Sequence, residues 1–343
     1  MLPILHVYYV IWLTVSAGPV VRITPDEVHL SNPEHYDSIY HVGTRYSKDA
    51  RFYGAFGNPN SAFTTPSNNL HRIRRSGLNT FFSRQQLYDL QTRMHSSDSY
   101  TKTRPNILTA LMDDSHDTKP QDKPCDVHDE TYTVLSAAAD TTGNAMTTTL
   151  RHVVSDPTIY SLLHKELVAA FPNKEAALPF AILERLPYLV SSCTRTSGCG
   201  LHTPQTGVIK EGLRLSFGVP GRPPRVVPAG GALFDSHVIP AGMMHQDEHA
   251  FPDHTRFDPG RWSNDRKTKI MESAFVPFGK GSRACVGIKW LYVTIGTIVR
   301  RFDKLQGNEL VAEDLIYEDY FSSYNPIAAK KFHVCKEAKT LVD

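Results

Sequence analysis

One cysteine set among glycines constrains this chain more than any other stretch. Residues Phe278-Gly279-Lys280-Gly281-Ser282-Arg283-Ala284-Cys285-Val286-Gly287 read F-G-x-G-x-R-x-C-x-G. Glycines let a backbone turn tightly and bring its N–H groups close to a ligand. Several N–H groups aimed at one sulfur, with a helix starting just after it, are expected to lower the thiol pKa and hold a thiolate. A single protected thiolate suits the axial position of haem iron, where it donates electron density that favours O–O cleavage. The plainer alternative is a glycine-rich turn that happens to contain a cysteine.

The rest of the composition excludes several classes. With 37 basic and 35 acidic residues the net charge is +2, so no nucleic-acid footprint is visible. The sixteen histidines are scattered and form no tight zinc pattern. Five cysteines are an odd number without framework spacing, which fits a reducing compartment better than a disulfide-stapled secreted fold. At 343 residues the chain can bury a sizeable core.

Residues 1–17 carry no charged side chain apart from His6. The run is short for a bilayer crossing, which takes about 20 residues, and Pro19 would break a helix that extended it. A membrane anchor, a secretory signal and a buried or misassigned leader all remain open there. Val20, Val21 and Ile23, then Val28 and Leu30, read as two short strands around the Thr24-Pro25-Asp26 turn. In Asn68–Arg75, His71 and Arg75 stand four apart, so one helical face presents two donors that could hold a carboxylate; a solvated basic helix gives the same pattern. Val127 to Ser155 has helical apolar spacing and contains Ala137-Ala138-Ala139-Asp140-Thr141-Thr142. There a carboxylate stands beside a hydroxyl, a pairing that can form a short proton relay. Glu211 and Arg214 lie three apart, suited to a bidentate pair. Cys193, Cys199 and His202 fall in a Ser/Thr/Gly-rich stretch that reads as a loop, and three candidate ligands without a partner cluster do not make a zinc site.

Taken together, these motifs resemble the cytochrome P450 monooxygenases. Cys285 matches the proximal haem ligand, and Phe278, Arg283 and Gly287 belong to the loop that binds the cofactor. Ala137–Thr142 resembles the oxygen-activation motif, with Ala138 in place of the usual glycine. Asp140 and Thr141 would then be the catalytic pair that supplies protons. Glu211 and Arg214 resemble the E-x-x-R of the core helix. Phe257-Asp258-Pro259-Gly260-Arg261-Trp262 resembles the F-x-P-x-R-W motif whose Arg261 completes that pair and braces the cysteine loop. The resemblance makes His71, Arg75, Arg225 and Arg283 partners of the haem propionates. It implies a mainly α fold with a small β region and thiolate-ligated iron protoporphyrin IX. The reaction implied is insertion of one oxygen atom from O2 into a lipophilic substrate, a terpenoid or polyketide of filamentous-fungal secondary metabolism. Electrons would come from NADPH through a separate cytochrome P450 reductase, because the chain has no dinucleotide fingerprint. Residues 1–17 would be an anchor on the cytosolic face of the endoplasmic reticulum membrane, and 18–343 the haem domain.

The resemblance is interrupted. Between Leu87 and Asn106 the chain lacks several central helices, including the pair that roofs the substrate pocket in the family. Residues between Leu189 and Val208 are an insertion. A strand is missing at Gly242–Met243, and about one helical turn after Lys289. The alternative reading is therefore a non-catalytic P450 remnant or pseudoenzyme without its pocket roof, whose open distal side would admit water.

Overall fold

In a computed structural model the chain is described at residues 20–95 (except 25, 26, 31 and 33), 107, 111, 124–190 (except 175), 207–228 (except 217 and 220–222), 251–307 (except 264), 318–320, 322–324 and 334–336. The 1–17 leader, the junctions at 96–106 and 239–247, and the insertion with Cys193, Cys199 and His202 lie outside the described residues.

The N-terminal hairpin forms as its β-rich runs predict. Strands β1 (Val20–Thr24) and β2 (Glu27–Leu30) pair antiparallel, with Val20 opposite Leu30. Helix α1 (Glu34–Tyr40) packs Ile39 and Tyr40 onto Leu30. Strand β3 (Ser47–Lys48) and helix α2 (Ala50–Gly54) follow. Helix α3 (Asn68–Phe81) starts at the Ser67 cap, whose hydroxyl accepts the Leu70 N–H at 3.3 Å. After α4 (Arg84–His95) comes the long helix α5 (Pro124–Ser155), which begins three residues before the periodicity predicts.

Helix α6 (Pro157–Ala170) has a strong start signal. The Asp156 carboxylate caps it, accepting the N–H groups of Thr158 at 2.9 Å and Ile159 at 3.2 Å, and Pro157 occupies the first helical position. Two single turns, α7 (Phe180–Leu183) and α8 (Pro187–Val190), lead towards α9 (Val208–Ser216). Strand β4 (Arg225–Val226) returns to pair with β3. A 3-10 turn at Pro259–Trp262, helix α10 (Lys269–Ala274) and helix α11 (Ile288–Arg301) complete the helical body. Strands β5 (Leu305–Gly307), β6 (Glu318–Tyr320), β7 (Ser322–Tyr324) and β8 (Val334–Lys336) make two further two-stranded pairs, β5 with β8 and β6 with β7. A mainly α fold with a small β region is what the motifs imply.

The core lies where α5, α6, α9 and α11 meet. Leu291, Ile295 and Val299 recur every fourth residue along α11 and are buried, as are Leu163 and Leu167 of α6 and Val153 of α5. Helices α5 and α9 pack against each other at Gly212. A Cβ built there would overlap the Thr149 side chain, with Thr149 Cβ only 2.8 Å away. Only a glycine permits that approach.

Helix α5 is two-natured. Its C-terminal half is packed, with Ala145, Thr148, Thr149 and Val153 all buried, whereas residues 135–140 are exposed. Leu135 is 70% exposed and Tyr132 57%, which is unusual for large apolar groups on a central helix.

Candidate active site

The cysteine loop is a turn held from three sides. Gly279 and Gly281 have φ of +66° and +70°, backbone that L side chains rarely adopt. Gly281 also lies against α1, where a Cβ would come within 2.7 Å of the His41 carbonyl oxygen. The Cys285 N–H donates to the Phe278 carbonyl at 2.8 Å, closing the turn. The Gly287 N–H donates to Cys285 Sγ at 3.3 Å, and α11 begins at the next residue.

Cys285 is a free, exposed thiol, although protein atoms surround it closely enough to desolvate it. The expectation of a lowered thiol pKa is corrected here. Burial raises it, and the Gly287 N–H and the Arg75 guanidinium only partly oppose that rise. Among the described residues one N–H reaches the sulfur rather than several. A cationic partner at the sulfur would favour the thiolate.

The four predicted propionate partners do come together. On α3, Arg75 Nη2 donates to the carbonyl of Ala284, the residue before the cysteine, and its Nε donates to Asn79 Oδ1 at 3.0 Å. One turn earlier, His71 is buried, and its pKa falls to about 3 through burial first and then the charges of Arg283, Arg75, Lys48 and Arg225. It is therefore neutral near pH 7. Arg283 donates to the carbonyls of Thr65 (2.8 Å) and Pro66 (3.0 Å) and to Asn68 Oδ1 (3.0 Å), and burial with neighbouring cations lowers its pKa to about 10. Arg225 lies over the Tyr40 ring, 4.9 Å from its centroid, and its Nε and Nη1 are buried with no hydrogen-bond partner.

Sequence reading missed a fifth member, Lys48. It stands directly opposite Arg225 in the β3–β4 pair and is 6% exposed. No motif marks it, and only the strand register brings it to the cluster. Among the described residues no carboxylate pairs with Lys48, Arg225 or Arg283. Buried cations without counter-charge and orphaned guanidinium donors fit a group that carries two carboxylates. On this test the residues present suit a haem.

The predicted cluster of Glu211, Arg214 and Arg261 forms. The carboxylate of Glu211 and the guanidinium of Arg214 are both fully buried and meet through two bonds, Nη2–Oε1 at 2.8 Å and Nε–Oε2 at 3.0 Å. Arg261 Nε joins Oε1 at 3.3 Å, and the Asp258 N–H donates to the same oxygen at 2.9 Å. The remaining donors of the two arginines go to the carbonyls of Pro252, Asp253, His254 and Arg256. Trp262 supplies a further donor that sequence reading did not assign, its Nε1–H reaching Glu211 Oε2 at 2.9 Å. Its ring packs on Phe275, with centroids 4.5 Å apart, at the entry to the cysteine loop. The brace therefore reaches that loop through the Trp262–Phe275 contact, whereas the donors of Arg261 stay within the 252–258 segment and Glu211.

Asp140 and Thr141 sit on α5, with Gly218 near Thr141. The Thr141 hydroxyl donates to the Ala137 carbonyl at 2.6 Å, one turn back, so its proton is directed away from the Asp140 carboxylate. Asp140 is exposed. The structure thus places both residues on α5 without joining them in a direct relay.

The profile described as "Cytochrome P450" matches residues 83–307. The cytochrome P450 monooxygenase macH of Penicillium terrestre is 25% identical over an alignment covering 88% of this chain and 81% of that protein. The cytochrome P450 monooxygenase TRI4 of Trichoderma arundinaceum is 23% identical (83% and 77%), and the N-acetyltryptophan 6-hydroxylase ivoC of Emericella nidulans 26% (83% and 78%). The first alignment spans 432 positions, more than the whole 343-residue chain, so the relative carries internal segments with no counterpart here. That agrees with the deletions read from the sequence.

Proposed function

This chain belongs to the cytochrome P450 monooxygenases, and on that footing we propose that it binds haem through Cys285 and inserts one oxygen atom from O2 into a lipophilic secondary metabolite, a terpenoid or polyketide. The observation that carries the reading is the juxtaposition of an exposed cysteine with a buried cation cluster in which Lys48, Arg225 and Arg283 pair with no carboxylate among the described residues. His71, Arg75, Arg225 and Arg283 would take the carboxylates of the cofactor, and Phe278 and Gly287 would shape the loop around the sulfur. When bound, thiolate-ligated haem supplies the oxygen chemistry that no side chain has.

The chain's own residues hold and deliver. Arg75 fixes the backbone before Cys285 through the Ala284 carbonyl, and the Gly287 N–H orients the sulfur. Glu211, Arg214, Arg261 and Trp262 keep the preceding segment rigid. Thr141 holds its hydroxyl proton on the Ala137 carbonyl, from which rotation about one side-chain bond frees it, and Asp140 is open to water that can resupply it. Electrons would reach the site from an NADPH-dependent reductase, at the endoplasmic reticulum membrane.

A reduced carbon monoxide-difference spectrum of the chain expressed with haem supplied tests the reading. A red-shifted Soret band that disappears in Cys285→Ala is expected. Identical spectra from both proteins would overturn it. A band without any product from reductase-supported turnover would make the chain a haem-binding remnant.

A further inference from the structure

Lys48 is the cation at this site that no motif announces, and its surroundings do not account for it. It is 6% exposed, its Nζ donates to the Phe63 carbonyl, and the ammonium lies 4.0 Å from the ring centroids of both Tyr53 and Phe63. The rings and one carbonyl occupy part of an ammonium with three donors. An apolar side chain would fill the same space without the cost of desolvating a charge.

The strand register sharpens the point. Lys48 and Arg225 are directly opposite in an antiparallel pair, so both side chains leave on the same face, where like charges destabilise the pairing. Arg283, Arg75 and His71 approach from the cysteine loop and α3, and burial first, then the charges of Arg225, Arg283 and Arg75, disfavour the charged form of the lysine. Two nitrogens of Arg225 are buried without a partner. An anion between these cations would relieve the cost of burying them together.

We propose that Lys48 is an additional anchor for the anionic edge of the cofactor, sharing with Arg225 the binding of a carboxylate. The proposal rests on the haem reading of this site. Lys48 acts on binding and not on the reacting atoms, so it is a positioning residue. The aromatic cage restricts the lysine side chain, and the β3–β4 pair couples it to Arg225.

The test titrates hemin and hemin dimethyl ester, which lacks the carboxylates, into the full apo chain and into Lys48→Met, Lys48→Gln and Lys48→Arg. Absorbance reports binding, and circular dichroism reports the fold. Lys48→Met is expected to weaken hemin about tenfold while leaving the ester unchanged. Lys48→Arg should recover most of the loss, and the apo melting temperature of Lys48→Met should hold or rise. If Lys48→Met does not fold, Lys48→Gln carries the same comparison. An unchanged hemin affinity, or an equal loss for hemin and ester, would overturn the role of Lys48 alone. Failure of the unaltered chain to bind hemin at all would instead overturn the haem reading, and this proposal with it.

Discussion

Arg75 on α3 donates to the carbonyl of Ala284, so a residue 209 positions away in sequence holds the backbone immediately before the cysteine sulfur. The same guanidinium favours the thiolate of Cys285 electrostatically, against the desolvation that raises its pKa. One side chain therefore links the geometry of the loop to the ionisation of its thiol.

Removing that guanidinium should show in the apo protein. Arg75→Ala is expected to move the midpoint of Cys285 alkylation to higher pH, because the charge lowers the thiol pKa. The rate of iodoacetamide reaction against pH measures it, with Cys285→Ala as the blank.

The buried brace should be costly to break from the acid side. Glu211→Gln leaves Arg214 and Arg261 buried without their carboxylate and is expected to cost about 3–5 kcal/mol. Trp262→Phe removes one donor to the same carboxylate and should cost about 1–3 kcal/mol. Chemical denaturation of the apo chain gives both values. Equal stability of Glu211→Gln and the unaltered chain would refute the account of this pair.

At Gly212 the helix contact itself is at stake. Gly212→Ala drives a methyl group into Thr149 and should destabilise by roughly 1–3 kcal/mol. Adding Thr149→Ala should recover part of that loss, since the two changes share one contact. Purely additive losses in the double variant would count against close packing here.

Glu130 on α5 should make stability depend on pH near neutrality. Burial lifts its pKa to about 7, although the Ala62 N–H, which donates to its Oε2 at 2.6 Å, and the arginines Arg74 and Arg75 oppose the rise. The folded chain then holds a proton that the unfolded chain has released above its ordinary value of 4.5. Stability from this group is full below about pH 4.5 and is lost as pH rises through about 7. Glu130→Gln should flatten that slope in denaturation curves taken between pH 5 and 8 (on the order of a few kcal/mol across the window).

His152 acts in the opposite direction. It stacks on Phe257 with centroids 4.5 Å apart, and burial, aided by Arg151 and Arg214, lowers its pKa to about 4 from 6.5. The unfolded chain therefore binds a proton first, so stability is lost as pH falls below about 6.5 and continues to fall to about 4. His152→Phe keeps an aromatic ring against Phe257 and should reduce the acid loss, as thermal melts between pH 4 and 7 would show.

The signals that were legible in the sequence are local ones. Positive φ at Gly279 and Gly281 and the i, i+3 spacing of Glu211 and Arg214 each depend on a few neighbouring residues, which a short motif records completely. The helical apolar spacing from Val127 to Ser155 likewise marks helix α5, which begins three residues earlier.

What the sequence by itself determined is the family, the mainly α class, the cysteine loop and the brace, together with the absence of segments that relatives carry. Only the tertiary structure decided the pKa of Cys285, which burial raises rather than lowers, the use of Trp262 as a donor, the direction of the Thr141 hydroxyl, and the presence of Lys48 among the site's cations. The physical reason is range. A turn or a cap is fixed by bonds between neighbours, whereas desolvation, charge crowding and strand register arise between segments that meet only when the chain is folded.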